Sequence, residues 1–284
     1  MSKVDLHIHS TTSDGRLSPE EVVYKSVELG VTIIAIADHD SVDGIAPALA
    51  AATAFPQLKV IPCVEISTDV PQGEVHVLGY FIDYTDHELE ATLRRLRSSR
   101  LQRAQGMITK LGNLGIHIEW QRRVQEIAGS GSIGRPHIAQ AMLEKGYIAS
   151  IKEAFIKYIS RDGPAYVDRE KMTPAEAVEL ILLAGGLPVL AHPLTINDLE
   201  TMIVELKAAG LVGIEAYYDG YTADEINKLV SLAERHNLIA TGGSDYHGLD
   251  ASTETMIGGA DVPMESAEQL MALAKQRALK SAIQ

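Results

Sequence analysis

Apolar and polar residues alternate one for one over the first strand-like stretch of the chain. Val4, Leu6 and Ile8 interleave with Asp5, His7 and His9, the period-two pattern of a β-strand. His7 and His9 then share one face, about 6–7 Å apart at Cα. Ser18-Pro19-Glu20-Glu21 reads as a helix start, with an N-cap, a proline at the first helical position and two acids in the first turn. That helix runs to about residue 29, where Gly30 stops it. A second apolar strand spans 31–37 and leads into Asp38-His39-Asp40. An Ala-rich helix, capped by Ser41 or Asp43, ends before Pro56. Further strands are predicted at 58–67, carrying Glu65, and at 74–82, carrying His76.

The alternation then breaks. Residues 86–115 read as one long helix containing Arg94, Arg95, Arg97, Arg100, Arg103 and Lys110, with Gly112 and Gly115 at its end. Helical stretches follow near 120–128, 136–146 and 150–160, with no strand between them. This basic block reads as an insertion of roughly 80 residues, dividing the chain into 1–85 plus 165–284 and an inserted 86–164. The β/α pattern resumes with a helix capped at Thr173-Pro174 and a strand at 187–191 followed by His192-Pro193. Next come a helix at 198–209 stopped by Gly210, a strand at 212–217, a helix at 223–236 and a strand at 238–241. That strand runs into Gly242-Gly243-Ser244-Asp245-Tyr246-His247-Gly248, and a final helix lies near 265–279. No internal repeat or low-complexity segment interrupts this order.

About seven strands, most followed by helices, predict an α/β fold of parallel strands with crossover helices. Polar, metal-capable residues recur in or just after strands at His39, Glu65, His192, Asp245 and His247. In a closed or nearly closed (β/α) barrel such strand ends gather at one mouth. An open doubly wound sheet would bring them together less readily. A chain of 284 residues, 46% hydrophobic, has room for one such domain and a small helical insertion.

Composition narrows the chemistry. No apolar run approaches the roughly 18–20 residues of a membrane span, and the chain enters its first strand too soon for a secretory signal to be expected. Cys63 is the only cysteine, which excludes an internal disulfide and a multi-thiolate zinc site; a cytoplasmic location is expected. The formal net charge of −13 argues against extended DNA binding. It leaves room for a small phosphorylated substrate, because bound divalent cations reverse the local sign where carboxylates gather. The candidate metal ligands are His7, His9, Asp14, His39, Glu65, His76, His192, Asp245 and His247. A lone strand-end histidine is more often a hydrogen-bonded rim residue, but six of the ten histidines follow this placement. His87, His117 and His236 fall outside it and are read as ordinary polar residues. Nitrogen and oxygen donors suit manganese, iron(II), zinc or magnesium. Nine are too many for one ion and suit two or three, bridged by carboxylates.

These segments resemble the motifs of the polymerase and histidinol phosphatase (PHP) superfamily: Asp5-Leu6-His7-Ile8-His9-Ser10, Ala37-Asp38-His39-Asp40, Glu65-Ile66-Ser67, Ala191-His192-Pro193 and Ser244-Asp245-Tyr246-His247. The resemblance covers nearly the whole chain. It implies a distorted seven-stranded (β/α) barrel, the PHP fold, with a trinuclear metal site. By resemblance, His7, His9, Glu65 and Asp245 hold one ion, and Glu65 bridges to a second held by His76 and His192. Asp14, His39 and His247 hold a third. Mn2+ is the first expectation, with Fe2+ and Zn2+ as alternatives.

The sequence is similar to a subgroup of phosphatases acting on nucleoside 3′,5′-bisphosphates, some of which also trim short 5′-phosphorylated RNA. Arg100-Leu101-Gln102-Arg103-Ala104, Ser132-Ile133-Gly134-Arg135-Pro136-His137 and His76-Val77-Leu78-Gly79-Tyr80 carry that similarity. A bisphosphate's second phosphate needs a cationic receptor away from the metals, and Arg103 and Arg135 are the first candidates, then Arg100 and His137. Arg94, Arg95 and Arg97 are read as a solvated helix face. Two other readings remain open. A histidinol-phosphate phosphatase would want an acidic receptor for its cationic amine. A non-catalytic PHP module often lacks some ligands, whereas here all nine positions are filled.

Overall fold

The computed structural model describes residues 3–70, 73–119, 133–168, 172–248 and 255–281. The helix expected near 120–128 lies outside them. Seven strands form one sheet in chain order: β1 (Lys3–Ile8), β2 (Val31–Ile36), β3 (Lys59–Val70), β4 (Gly73–Tyr80), β5 (Leu187–Leu190), β6 (Gly213–Tyr218) and β7 (Ile239–Gly243). The two edges meet through the residues just beyond β7. Asp245 N donates to His7 O at 2.8 Å and His9 N to Tyr246 O at 2.9 Å, with Ile8 and Tyr246 bridged in parallel. The sheet is thereby a nearly closed barrel.

The expected run of parallel strands needs one correction. β1, β2 and β3 are parallel, as are β5, β6 and β7, but β4 is antiparallel to both β3 and β5. The reason is chain length. β3 runs on to Val70 and β4 starts at Gly73, and a parallel partner needs a crossover of about a dozen residues or more. The chain doubles back instead, which puts the start of β4 at the same barrel end as the end of β3. His76 faces Ser67 across that hairpin.

The helices are α1 (Pro19–Glu28), α2 (Ile45–Ala52), α3 (His87–Asn113), α4 (Arg135–Glu144), α5 (Ile151–Ala154), α6 (Pro174–Leu183), α7 (Leu199–Ala209), α8 (Ala223–Arg235) and α9 (Met264–Ser281). α5 continues into a wider π-type turn at Phe155–Ile159. α1 opens with a capping box between Ser18 and Glu21, and α6 with one between Thr173 and Glu176. No helix among the described residues is long and apolar enough to cross a membrane.

α3 serves two cores. Leu89, Leu93 and Leu96 pack with Val64, Ile66, Val77, Ile181 and Ile203 against the barrel. About two to four turns further on, Ala104, Met107 and Leu111 join Ile138, Met142, Ile159 and Ala165 in a separate cluster. The packing boundary between barrel and inserted helices therefore runs through α3. That helix carries Arg100 and Arg103 over the mouth of the barrel, where they meet Asp40, Ser67 and Glu74.

Candidate metal centre

All nine candidate ligands converge at one end of the barrel. His7 lies on β1 and His9 just beyond it, with Asp14 in the following loop; His39 follows β2, Glu65 lies on β3 and His76 on β4. His192 follows β5, and Asp245 and His247 follow β7. His7 Nε2 and His9 Nε2 are 3.2 Å apart. Asp245 Oδ1 lies 3.3 and 2.9 Å from them, and Glu65 Oε2 3.5 and 3.4 Å. Across the centre, Glu65 Oε1 is 2.8 Å from His76 Nδ1 and 3.1 Å from His192 Nε2, while Oε2 is 2.8 Å from His39 Nδ1. Asp14 Oδ1 is 3.4 Å from His247 Nε2. Three sets offer donor atoms all within 4.8 Å of one another: His9, Asp14, His39 and His247; His7, His9 and Glu65; His39, Glu65 and His76. Glu65 is central to two of them.

The fit to metal rests on atoms left without hydrogen bonds. Asp14 Oδ1, Glu65 Oε2, His76 Nε2 and Asp245 Oδ1 are buried and make none, although imidazole nitrogens crowd the three oxygens. Buried polar atoms are normally paired, and each unpaired one costs about 1–3 kcal/mol. Carboxylate and imidazole lone pairs converging without hydrogen-bond alignment are what divalent cations satisfy.

Burial opposes every charge here, and the neighbours decide the outcome. For Glu65 burial is outweighed by His39, His76 and His7, which hold the carboxyl well below its usual range. His39 and His247 do the same for Asp14, and His7 and His247 for Asp245. Burial pulls His247 down, yet Asp14 and Asp245 push it up to about 10. His7, His39 and His192 are also raised against burial by nearby carboxylates. His9 goes the other way: burial and the charge of His247 lower it to about 4.

Several residues that sequence reasoning did not single out hold these ligands. Glu215 on β6 is fully buried; its Oε1 lies 3.0 Å from His7 Nδ1, and its Oε2 accepts the His192 main-chain N–H at 2.7 Å. The Asp38 carboxylate accepts from Ser10 N at 2.8 Å, Ser10 Oγ at 2.7 Å, and Thr12 Oγ1 and Ser13 Oγ at 2.5 Å each, fixing the loop that carries Asp14. Asp5 accepts from Ser244 N and Gly258 N at 2.9 and 2.7 Å, tying the Asp245 segment to β1. Tyr218 Oη donates to Asp245 Oδ2 at 2.6 Å; burial and the adjacent Asp245 charge keep the phenol protonated. Asp40, His192 and Asp245 all take positive φ, of 51°, 28° and 51°, the kind of backbone strain that clusters at functional sites. A lone acid inside the apolar Gly213–Tyr218 strand was the available signal for Glu215.

The insertion meets this centre through α3 and the start of α4. A Cβ on Gly134 would stand 3.7 Å from both Asp14 Oδ2 and Arg100 Nη1. Arg100 is buried, with Nε 2.5 Å from Asp40 Oδ2 and a second N–H donated to Ser67 Oγ. Arg103 Nη1 donates to Glu74 Oε1 at 3.1 Å and Arg135 Nη2 to Glu74 Oε2 at 2.6 Å. Burial would raise the Glu74 carboxyl, but Arg135 and Arg103 hold it below the usual range. His137 Nδ1 accepts the Gly134 N–H at 2.9 Å, which leaves the neutral ring's proton on Nε2. His236 lies apart, 3.2 Å from Glu200.

A family model described as the PHP domain matches residues 5–241. The chain belongs to the PHP domain family. Among PHP relatives, it is 34% identical over 251 residues to the 3′,5′-nucleoside bisphosphate phosphatase of Chromobacterium violaceum, covering 87% of this chain and 88% of the relative. It is equally 34% identical over 248 residues to the 5′-3′ exoribonuclease Rnm of Escherichia coli, covering 86% and 84%. Among solved structures, a protein from Bifidobacterium adolescentis assigned as a metal-dependent phosphoesterase superposes with a TM-score of 0.86 at 27% identity, over 95% of this chain and 96% of that one. The nearly closed seven-stranded barrel is thus the PHP fold, and its clustered histidines and carboxylates are able to bind metal.

Proposed function

We propose that this PHP protein is a metal-dependent phosphoric ester hydrolase that removes the 3′-phosphate of nucleoside 3′,5′-bisphosphates to give 5′-nucleotides, and that it also acts 5′→3′ on short 5′-phosphorylated RNA. One observation carries the reading. Nine candidate nitrogen and oxygen ligands, four of them with buried atoms that make no hydrogen bond, adjoin an arginine pair held on Glu74. The named activities of the two relatives support it.

In this reading His7, His9, Glu65 and Asp245 hold one divalent cation, and Glu65, His76 and His192 a second. Asp14, His39 and His247 hold a third. Mn2+ is the first choice and Fe2+ or Zn2+ the alternatives. Such ions supply Lewis acidity and lower the pKa of water from ~15.7 toward ~7. The chain's own residues do the rest. Glu65 joins the ligand sets, Tyr218 fixes one oxygen of Asp245, and Glu215 fixes the ring of His7. Arg103 and Arg135 receive the 5′-phosphate through planar guanidinium forks. His137, with its proton on Nε2, and the first turn of α4 add hydrogen-bond donors there. Arg100 holds α3, within the insertion 86–164, against Asp40 and Ser67 of the barrel 1–85 and 165–284, which sets Arg103 beside β4. A histidinol-phosphate amine would need a carboxylate to itself, whereas both oxygens of Glu74 are taken by arginines. A nucleotide substrate agrees with a cytoplasmic enzyme.

The test measures phosphate and 5′-AMP released from adenosine 3′,5′-bisphosphate by protein loaded with Mn2+, Fe2+ or Zn2+. Histidinol phosphate, 3′-AMP and a 5′-phosphorylated oligoribonucleotide run alongside. Preferred turnover of the bisphosphate and stepwise release of 5′-nucleotides from the RNA are expected. No bisphosphate turnover by a fully metallated sample overturns the proposal.

A further inference from the structure

Glu74 joins three elements far apart in the chain. It lies on β4 two residues before His76, so the two side chains leave the same face of the strand. One of its oxygens binds Arg103 of α3 and the other binds Arg135, the first residue of α4. The trio is largely withdrawn from water, with side-chain exposures of 24% for Glu74, 4% for Arg103 and 18% for Arg135. Arg135 also lies over the Phe155 ring, 5.4 Å from its centroid.

Two guanidinium groups this close repel one another, and more strongly as water is excluded. A carboxylate with one oxygen for each removes that repulsion and fixes both forks. Glu74 could act on an incoming phosphate in two opposite ways. As a competitor it would occupy N–H donors that the phosphate wants, and its removal would tighten binding. As an organiser it would hold the two arginines together, and its removal would let them separate and weaken binding. Geometry favours the organiser. Glu74 meets Arg103 and Arg135 with a separate oxygen each, so both guanidinium groups are held on one carboxylate. The same side chain also sets the clamp's distance from the metal-capable cluster, because Glu74 and His76 share one strand.

We infer that Glu74 is the positioning residue of the receptor for the substrate's second, non-reacting phosphate, holding Arg103 and Arg135 as a pair and thereby setting the preference for bisphosphates over monophosphates. This rests on the reading of the arginine pair as a phosphate receptor. The trio keeps one net positive charge, so the receptor attracts an anion without being a bare dication that any polyanion would occupy.

The test is steady-state kinetics of the full-length, metal-loaded enzyme on adenosine 3′,5′-bisphosphate and adenosine 3′-monophosphate, for the wild type, Glu74→Ala, Glu74→Gln and Arg135→Ala. Metal content and melting temperature are measured for each. Losing the organisation of charge-assisted hydrogen bonds worth about 1.5–3 kcal/mol should raise the bisphosphate KM of Glu74→Ala by about tenfold or more. The loss should fall mainly on KM rather than kcat, and the ratio of kcat/KM between bisphosphate and monophosphate should fall by a similar factor. Glu74→Gln keeps one carbonyl acceptor and should lie between. An unchanged or lowered bisphosphate KM in either folded variant overturns the inference. Failure of the underlying reading looks different: Arg135→Ala would then leave the bisphosphate KM of the wild type unaltered.

Discussion

His7 Nδ1 and Glu215 Oε1 stand 3.0 Å apart, both fully buried, on strands that are 208 residues apart in the chain. The contact fixes the tautomer of His7 and leaves Nε2 to face Asp245, Glu65 and His9. The other Glu215 oxygen holds the main chain of His192. One carboxylate therefore orients two candidate ligands from behind. Partners of this kind typically contribute about 10–100-fold to metal affinity. Glu215→Gln should weaken metal binding by about that factor, read from titration against a chromogenic chelator. An unaltered affinity would show that His7 needs no such support.

His192 sits on a strained backbone with its Nε2 3.1 Å from Glu65 Oε1 and its ring packed edge-on to His76. Its ring nitrogen meets Glu65 and His76, so in the proposed assignment it belongs with the second ion and not the third. His192→Ala should remove one metal ion and most of the activity while leaving the other ions bound. Native mass spectrometry counts the ions, and a full complement in the variant contradicts the assignment.

Much of this site was legible in the sequence because strand ends repeat a simple rule. Period two put His7 and His9 on one face, and His39, Glu65, His192, Asp245 and His247 fell in or just after later strands. The direction of β4 was not read correctly, since alternation of apolar residues is the same in either direction. Only the short gap before Gly73 forbids a crossover. Glu215, Asp38 and Glu74 were assigned no role for another reason. Their roles come from contacts 208, 28 and 29 residues away, to His7, Ser10 and Arg103. A lone acid in an apolar strand, as at Glu215, signals that some partner exists but not which residue it is. Arg100 was a secondary substrate candidate through the similarity of the 100–104 segment, and its contacts with Asp40 and Ser67 come from parts of the chain that the segment itself does not reveal.

The imidazoles make the metal-free protein's stability depend on pH in a defined sense. His247 is raised to about 10 by Asp14 and Asp245 against burial, and His7, His39 and His192 are raised too. A raised histidine stabilises fully below its unfolded value of about 6.5 and loses that contribution as pH climbs through the folded value. His9, lowered to about 4 by burial and His247, has the opposite sign and loses its contribution as pH falls from about 6.5. The metal-free protein should therefore be most stable near pH 6.5 and melt at lower temperature by pH 9.5. Metal requires neutral imidazoles, so loading should release protons and reverse the alkaline loss. Melting curves with and without Mn2+, and calorimetry in buffers of different ionisation enthalpy, measure both. Equal melting of the metal-free form at pH 6.5 and 9.5 would refute this.

Barrel closure depends on a residue with no side chain. A Cβ on Gly243, the last residue of β7, would lie 2.4 Å from both Cβ and N of His7. Glycine in a strand often marks such a close approach of another backbone. Beyond that point Asp245 N reaches His7 O and His9 N reaches Tyr246 O, so any retreat of β7 pulls on both histidines and on Asp245 together. Gly243→Ala should cost about 1–3 kcal/mol through overpacking, measured by denaturant unfolding, and should weaken metal binding in the same variant. Gly73 is the control. A Cβ there meets nothing within 4 Å, so Gly73→Ala should stay within about 0.5 kcal/mol of the wild type. If Gly243→Ala were equally silent, the approach of β7 to β1 would not be what positions His7. The alignment of its ring would then rest on Glu215 alone.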